Sequence, residues 1–238
     1  MISKSQIIVL HTIKHSDTGV VVQAYSNTLG RCALYYRSGG KQNKNMAELH
    51  PLNILDIVTY SNLGPAMPNI REMAPVENMH SIVTDIRKNA IAIFISELLT
   101  KSIREIEPNA ELYTFLSSSI LVLDSLPKGV ENFHLHFLAH YCKILGFMPL
   151  DNYNLANKYF NFYKAEYTNL YDKACCFTEQ QSFLLHNILT TPVTKIEEIQ
   201  CSGLERADFI KSLLDYLSYH LGGKLEIKSL PVLHEIFA

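Results

Sequence analysis

The pattern of apolar residues changes near residue 80, and this change constrains the fold more than any other feature of the chain. Before it, β-branched runs alternate with turn-prone segments and predict about five short strands. The predicted strands are 6–10, 19–25, 31–37, 53–60 and 70–73. Closing such strands into a small barrel removes exposed edges, which favours a barrel over an open sheet. After residue 80 the apolar residues recur every three to five positions, which predicts helices.

The predicted domains are therefore 1–80, a small barrel, and 81–238, a helical domain. The first predicted helix begins with Ser81 as its cap and ends before Pro108, and 111–126 and 130–147 follow. Capping boxes at Thr178 and Ser202 predict two further helix starts. The segment at about 151–177 differs, because eight of its 27 residues are Tyr or Phe and its periodicity is weak. We expect an ordered irregular excursion or a hairpin there.

Composition excludes several classes of protein. Apolar residues make up 47% and charged residues 18% of the chain, which excludes a disordered tail. The longest purely apolar run, Ala90 to Ile95, has only six residues, so no segment is expected to span a bilayer. The first six residues lack the apolar core of a signal peptide. Five cysteines without framework spacing predict reduced thiols and a cytoplasmic location.

Charge is distributed unevenly although the net charge is only −2. Residues 1–60 hold six Lys or Arg against three acids, whereas 81–238 hold 14 basic and 18 acidic residues. No acid occurs from Thr18 to Ala47. The N-terminal part is thus the better candidate for contact with a polyanion.

The strand and loop at 31–44 carry the most informative local pattern. Single-stranded nucleic acid is held by cations that follow the phosphates and by rings on which bases stack. Alternation places Tyr35 on the outward face of the strand, and the candidate cations are Arg31, Arg37, Lys41 and Lys44. The alternative is an ordinary solvated outer face, and local sequence alone does not decide between them.

Catalysis and metal binding have little support in the sequence. Phosphate-binding loops, dinucleotide signatures, nucleophile elbows and metalloprotease motifs are all missing, so we expect no enzyme activity. His134, His136 and His140 share a predicted helix, but 134 lies about 200° round from 136, and surface histidines are the preferred interpretation. Cys175 and Cys176 are adjacent and cannot easily chelate one zinc ion. We predict no metal and no cofactor.

Several short motifs in a particular order resemble the RecO family of bacterial recombination mediators. They are Ile8–Thr18, Leu29-Gly30-Arg31, His50-Pro51-Leu52, Ile86-Arg87-Lys88, Glu97-Leu98-Leu99, Gly146-Phe147-Met148-Pro149, Leu221-Gly222-Gly223-Lys224 and Lys228-Ser229-Leu230. Each motif is weak alone, whereas their order and spacing span nearly the whole chain. The stretch from Ile86 to Glu105 is most similar to Bacteroidetes-type members.

The resemblance implies an N-terminal OB-fold that binds DNA and a C-terminal all-helical domain. It implies binding and annealing of single- and double-stranded DNA, a partner named RecR, and no nucleotide hydrolysis. Such proteins help to load recombinase onto strands coated with single-strand binding protein (SSB), which implies a nucleoid-associated location. Lys14 joins the expected DNA-binding residues. Many members carry a four-cysteine zinc module after Gly146–Pro149, but residues 150–174 hold no cysteine here, so we predict none.

The resemblance also implies a pocket among the helices for the acidic, apolar tail of SSB. The segments 82–106 and 130–147 are expected to form it, with Arg87, Lys88 or Lys143 as the cation at its rim. Some relatives have a basic residue before Phe133, whereas this chain has Asn132. An alternative function is a non-catalytic adaptor whose barrel binds a peptide, since the positive charge of the N-terminal part is modest.

Overall fold

The computed structural model describes residues 2–37, 46–60 and 67–237. The chain divides into two compact units, Met1–Asp124 and Ser125–Ala238. The first unit contains the strands of a barrel and the helices that directly follow them. The second contains the later helices and a small hairpin. The first three helices thus group with the barrel in space, whereas the predicted sequence boundary lay at residue 80.

Five strands close into a barrel in the order β1-β2-β3-β5-β4, as in an OB-fold. The strands are β1 (Ile2–Ser16), β2 (Gly19–Ser26), β3 (Gly30–Arg37), β4 (Ile54–Tyr60) and β5 (Asn69–Pro75). All neighbours are antiparallel except β3 and β5, which run parallel and, within the described residues, pair at Tyr35–Asn69 and Tyr36–Ile70. β1 has 15 residues because it pairs with β4 along its first half and with β2 beyond it.

Alternation along the strands fills the barrel with apolar side chains, as the sequence predicted for β3. Leu34 and Tyr36 are buried in the same cluster as Val20 and Val22 of β2, and Cys32 packs against it partly buried. The intervening residues of β3 face outward. The predicted fold, an OB-type barrel followed by helices, is confirmed.

Three helices complete the first unit: α1 (His80–Thr84), α2 (Ile86–Ser102) and α3 (Ala110–Ser125). The predicted single helix from Ser81 is wrong, because Asp85 is extended and begins a new helix there. Its side chain accepts from the backbone N–H of Arg87 at 2.8 Å and so caps α2. Ser81 is not a helix cap; its Oγ instead accepts from the ammonium of Lys88 at 2.8 Å.

The second unit contains α4 (Val130–Ile144), β6 (Tyr159–Asn161), β7 (Glu166–Thr168), α5 (Glu179–Thr190), α6 (Gly203–His220) and α7 (Leu230–Ile236). A 3₁₀ helix, Val193–Glu198, precedes α6. Both predicted capping boxes are present, at Thr178 and at Ser202. The α6 helix ends before Gly222, which adopts a left-handed φ of 67°.

The aromatic excursion folds as the β6–β7 hairpin around a buried ring. Phe160 is fully buried, and its ring centroid lies 5.2 to 5.3 Å from those of Tyr167, Phe177 and Tyr216. Edge-to-face contacts of this kind contribute about 0.5–1.5 kcal/mol each beyond area burial. Apolar packing of these rings therefore holds the segment together.

Candidate nucleic-acid interface

The outer face of β1, β2 and β3 carries a row of side chains set by the strand register. Ile13 pairs with Val21, and Val21 pairs with Tyr35. Their neighbours Val20 and Tyr36 point into the barrel core, so this row faces outward. The predicted outward position of Tyr35 agrees with this register.

Helix α2 and the segment after it cover one half of this face. The Ser96 hydroxyl of α2 donates to the carbonyl of Leu10, and the Asn109 N–H donates to the Tyr25 hydroxyl at 3.1 Å. Gly30, with a φ of 63°, lies so close to Ile106 and Glu107 that a Cβ would collide with their backbone. This half is part of the packing of the unit and leaves little room for a ligand.

Arg31 lies in the covered half. Its guanidinium donates to the carbonyl of Ile103, just beyond the end of α2. It also lies near His11, whose pKa is lowered mainly by burial and further by the Arg31 charge. The structure thus gives Arg31 a role in fixing the α2 terminus to the barrel, apart from the predicted contact with phosphate.

The open half carries the aromatic part of the candidate site. The Tyr35 ring lies over Gly19, where a side chain would collide with its hydroxyl end. The ring of His15 meets Tyr35 edge-on, with centroids 5.8 Å apart and planes at 82°. Ile13 beside them is 48% exposed. We name Ile13, His15 and Tyr35 the hairpin platform.

Two of the predicted cations lie close to the hairpin platform in the register, but on different faces. Arg37 follows Tyr35 on the same outward face of β3, whereas Lys14 pairs with Val20 and so alternates to the face of β1 opposite Ile13. Arg37 is exposed at the end of β3 and pairs in register with Gly19. Lys14 is exposed, and its ammonium lies 3.4 Å from the carboxylate of Asp17. An exposed pair of this kind is weak, about 0–1 kcal/mol, so the lysine can exchange it for a phosphate. The predicted Lys41 and Lys44 lie outside the described residues.

The sequence analysis missed His15 and Ile13 as members of the platform. The sequence pattern that could have predicted them lies in β1, where His11, Ile13 and His15 alternate with polar residues and so share one face of the strand. The predicted strand ends at residue 10, so these residues were not expected to lie on a strand. The extension of β1 to Ser16 brings these side chains beside Tyr35.

The three cations predicted at the rim of the pocket for the SSB tail differ in their exposure and in the groups they contact. Arg87 is exposed and forms an ion pair with Asp85 at 2.9 Å. Lys88 is buried, and its ammonium donates to Ser81 Oγ at 2.8 Å and to the Asp124 carbonyl at 2.6 Å. Burial lowers the pKa of Lys88. Lys143 is exposed near the end of α4, in the second unit.

A buried arginine contacts Asn132, the residue before Phe133. Asn132 Oδ1 accepts from Arg206 Nε at 3.3 Å, while its Nδ2 donates to the carbonyls of Ile196 and Ile199 at 3.1 and 3.0 Å. Arg206 also donates to the carbonyl of Cys201 at 2.9 Å. The guanidinium thus joins α6 to α4, although it is only 8% exposed.

The three histidines of α4 are not the surface residues that the sequence indicated. His134 is buried and stacks on Phe237, and burial lowers its pKa to about 3. His136 and His140 lie with ring centroids 4.2 Å apart, and burial lowers the pKa of His136 to about 4. In the described ranges, no three His, Cys, Asp or Glu side chains form a metal-binding group.

The cysteines remain separate thiols. Cys175 and Cys176 have their sulfurs 4.0 Å apart, and all five cysteines are free. Burial raises the pKa of Cys142 to about 12 and that of Cys32 to about 11, which disfavours the reactive thiolate. Across 2–37, 46–60 and 67–237, no helix has the length and apolar character needed to cross a bilayer.

Comparison with known proteins identifies relatives along the whole chain. The family described as "Recombination protein O N terminal" matches residues 1–79, and "Recombination protein O C terminal" matches residues 83–231. A protein of Flavobacterium psychrophilum named "DNA repair protein RecO" is 31% identical over 238 residues, covering 99% of both chains. Proteins of the same name from Christiangramia forsetii and Bacteroides fragilis are 30% and 28% identical over the full length of both chains.

Proposed function

Because the chain belongs to the RecO family of DNA repair and recombination proteins, we propose that it is a DNA-binding recombination mediator. It binds single- and double-stranded DNA, anneals complementary strands and, with RecR, helps to load recombinase onto strands coated with SSB. It does so without hydrolysing nucleotides. The observation that carries the proposal is the open half of the barrel face, where the exposed Arg37 follows the hairpin platform on the same face of β3.

The hairpin platform supplies the two interactions that single strands need. A base stacks on an aromatic ring whatever its sequence, and Tyr35 and His15 present such rings. The neighbouring phosphates meet Arg37 and Lys14. Lys41 and Lys44 are included among the proposed phosphate contacts on the sequence pattern alone.

Salt dependence of DNA affinity tests the proposal. Fluorescence anisotropy with labelled single-stranded DNA should show affinity falling steeply with salt, because bound cations release counterions. Changing Arg37, Lys41 and Lys44 together to Ala should flatten the slope by up to about 3, at roughly 0.7–0.9 per phosphate contact. A folded triple variant with an unchanged slope would place the binding surface elsewhere.

The same titration separates the mediator from the adaptor. Exposed Ile13 beside Tyr35 would suit an apolar peptide as well as a base. Peptide binding by an apolar surface depends little on salt, whereas DNA binding depends on it steeply. The annealing activity is tested separately, by the rate at which two complementary oligonucleotides pair with and without the protein in the absence of nucleotide triphosphates.

We further propose that the helical part binds the SSB tail through an exposed cation. Such a tail ends in an apolar side chain and a carboxylate, so its receptor needs an apolar slot with a cation at the rim. Of the three predicted cations, Lys143 and Arg87 are exposed, whereas Lys88 donates to two oxygens of its own unit.

A peptide copying the tail tests this second proposal on the intact protein. Lys143→Ala should weaken peptide binding, and Lys164→Ala, another exposed lysine of the same unit, serves as the matched control. Removal of the terminal residue of the peptide should also weaken binding. Indifference to that truncation would reject an apolar slot with a carboxylate receptor.

A further inference from the structure

A second ring lies in the same row of the barrel surface as Tyr35. Across the parallel pairing Tyr35 faces Asn69 of β5, and Asn69 pairs in turn with Tyr60 of β4. The adjacent pairs Tyr36–Ile70 and Thr59–Ile70 are buried, so this row points outward. Tyr35 and Tyr60 therefore stand two strands apart on one surface, about 10 Å at the usual strand spacing.

A cation lies over the second ring. The guanidinium carbon of Arg71 is 4.7 Å from the Tyr60 ring centroid, within cation–π range. The pairing of β4 with β5 is irregular between Val58 and Thr59, where Arg71 has no partner in register. A bulge of this kind re-aims a side chain, and here it directs the exposed arginine onto the ring.

Acidic side chains bound this surface on one side. In the next row along the barrel, Glu72 of β5 pairs with Val58 of β4. Asp56 lies two residues before Val58 on β4, so it shares the same outward face. Lys4 lies in the same row on the other side of Val58, but the two carboxylates outnumber it, so these rows carry a net negative charge. A polyanion is therefore favoured along the row that holds Tyr35, Asn69 and Tyr60.

We propose that Tyr60 and Arg71 form a second nucleotide subsite, which continues the hairpin platform across β5. Tyr60 supplies the stacking surface, and the exposed guanidinium of Arg71 supplies donors for a phosphate. The inference rests on the proposed binding of single-stranded DNA. The spacing of about 10 Å is three times a stacked base step of about 3.4 Å, so the strand must extend to occupy both rings.

Length-dependent binding tests the second subsite. With oligothymidylates at fixed salt, Tyr60→Ala should weaken binding of a 20-mer about tenfold, since one stacked base is lost. The same change should leave a dinucleotide almost unaffected, because a dinucleotide can occupy only one platform. Arg71→Ala should lower the salt slope by about 0.7, whereas Arg71→Lys should keep the slope. Lys224→Ala, a change at an exposed lysine of the second unit, is the matched control.

A covalent readout identifies the residue in contact. Oligothymidylate carrying 5-iodouracil should photocross-link to Tyr60, and mass spectrometry of the digested adduct locates the attachment. Glu72→Gln should raise affinity for the 20-mer, because it removes a neighbouring repulsion.

The outcomes separate the subsite from the proposed function. In one outcome, Tyr35→Ala and Arg37→Ala lose binding, whereas Tyr60→Ala and Arg71→Ala bind oligonucleotides of every length like the parent protein. This outcome would overturn the second subsite and leave the proposed function standing. A parent protein that binds no oligonucleotide would overturn both.

Discussion

Gly19 determines where the Tyr35 ring lies. The ring occupies the space above residue 19 that any side chain would need, and the obstruction involves the ring and hydroxyl, which can move, and no backbone atom. A larger residue would therefore displace the tyrosine and leave the strand in place. A residue that touches no ligand thus controls the geometry of the platform.

Gly19→Ala should lower affinity for single-stranded DNA about as much as Tyr35→Ala, by roughly 1–3 kcal/mol for one lost base stack. The melting temperature should change little, because only the side chain moves. A double-mutant cycle measured by anisotropy checks the mechanism: in a Tyr35→Ala background, Gly19→Ala should have no further effect. Additive losses would show that the glycine acts by another route.

At the scale of single elements, the break between α1 and α2 depends on Asp85. Its carboxylate caps α2 and also pairs with Arg87, and this pairing lowers the pKa of Asp85. The stabilisation is thus present above the unfolded pKa of about 3.9 and is lost as pH falls through the lower folded value.

Asp85→Ala should lower the free energy of unfolding by about 1 kcal/mol, the usual value of a helix cap. Asp85→Asn keeps a capping oxygen and loses only an exposed ion pair, so it should lower the free energy of unfolding by less than Asp85→Ala does. Urea denaturation of both variants at pH 7 compares the two contributions. An asparagine variant as unstable as the alanine variant would assign the effect to charge.

The same elements show what the sequence could predict. The capping boxes at Thr178 and Ser202 were found because each is a signal within four residues. Asp85 was missed because Ser81 offered an equally good local signal, and Ser81 instead meets Lys88. The outward position of Tyr35 followed from alternation. The engagement of Arg31 did not, because its acceptor Ile103 is 72 residues away and no local pattern encodes such a contact.

At the scale of the whole molecule, buried histidines make stability depend on pH. Burial lowers the pKa of His134 to about 3 and that of His136 to about 4, against an ordinary 6.5, and both lie in the second unit. Below pH 6.5 these histidines bind protons in the unfolded chain but stay neutral in the folded protein. Their contribution to the free energy of unfolding is therefore fully present above pH 6.5 and decreases as the pH falls towards their folded pKa values.

The free energy of unfolding should drop by roughly 2 kcal/mol per histidine between pH 7.5 and pH 5, at about 1.4 kcal/mol per unit of pKa shift. The second unit should therefore unfold first in acid. Denaturant titrations at the two pH values measure the drop, and His136→Gln should remove part of it. An equal drop in that variant would contradict the assignment to His136.

Among the residues that the structure describes, two residue pairs join β3 to β5 and form the seam of the barrel. Few hydrogen bonds hold this seam, so its amides should exchange with solvent sooner than those of the long β1–β2 ladder. A strand of DNA that reaches from Tyr35 to Tyr60 crosses the seam between β3 and β5. Bound DNA should therefore stabilise the pairing of these two strands, and deuterium uptake at Tyr35, Tyr36 and Ile70 should slow when DNA is bound.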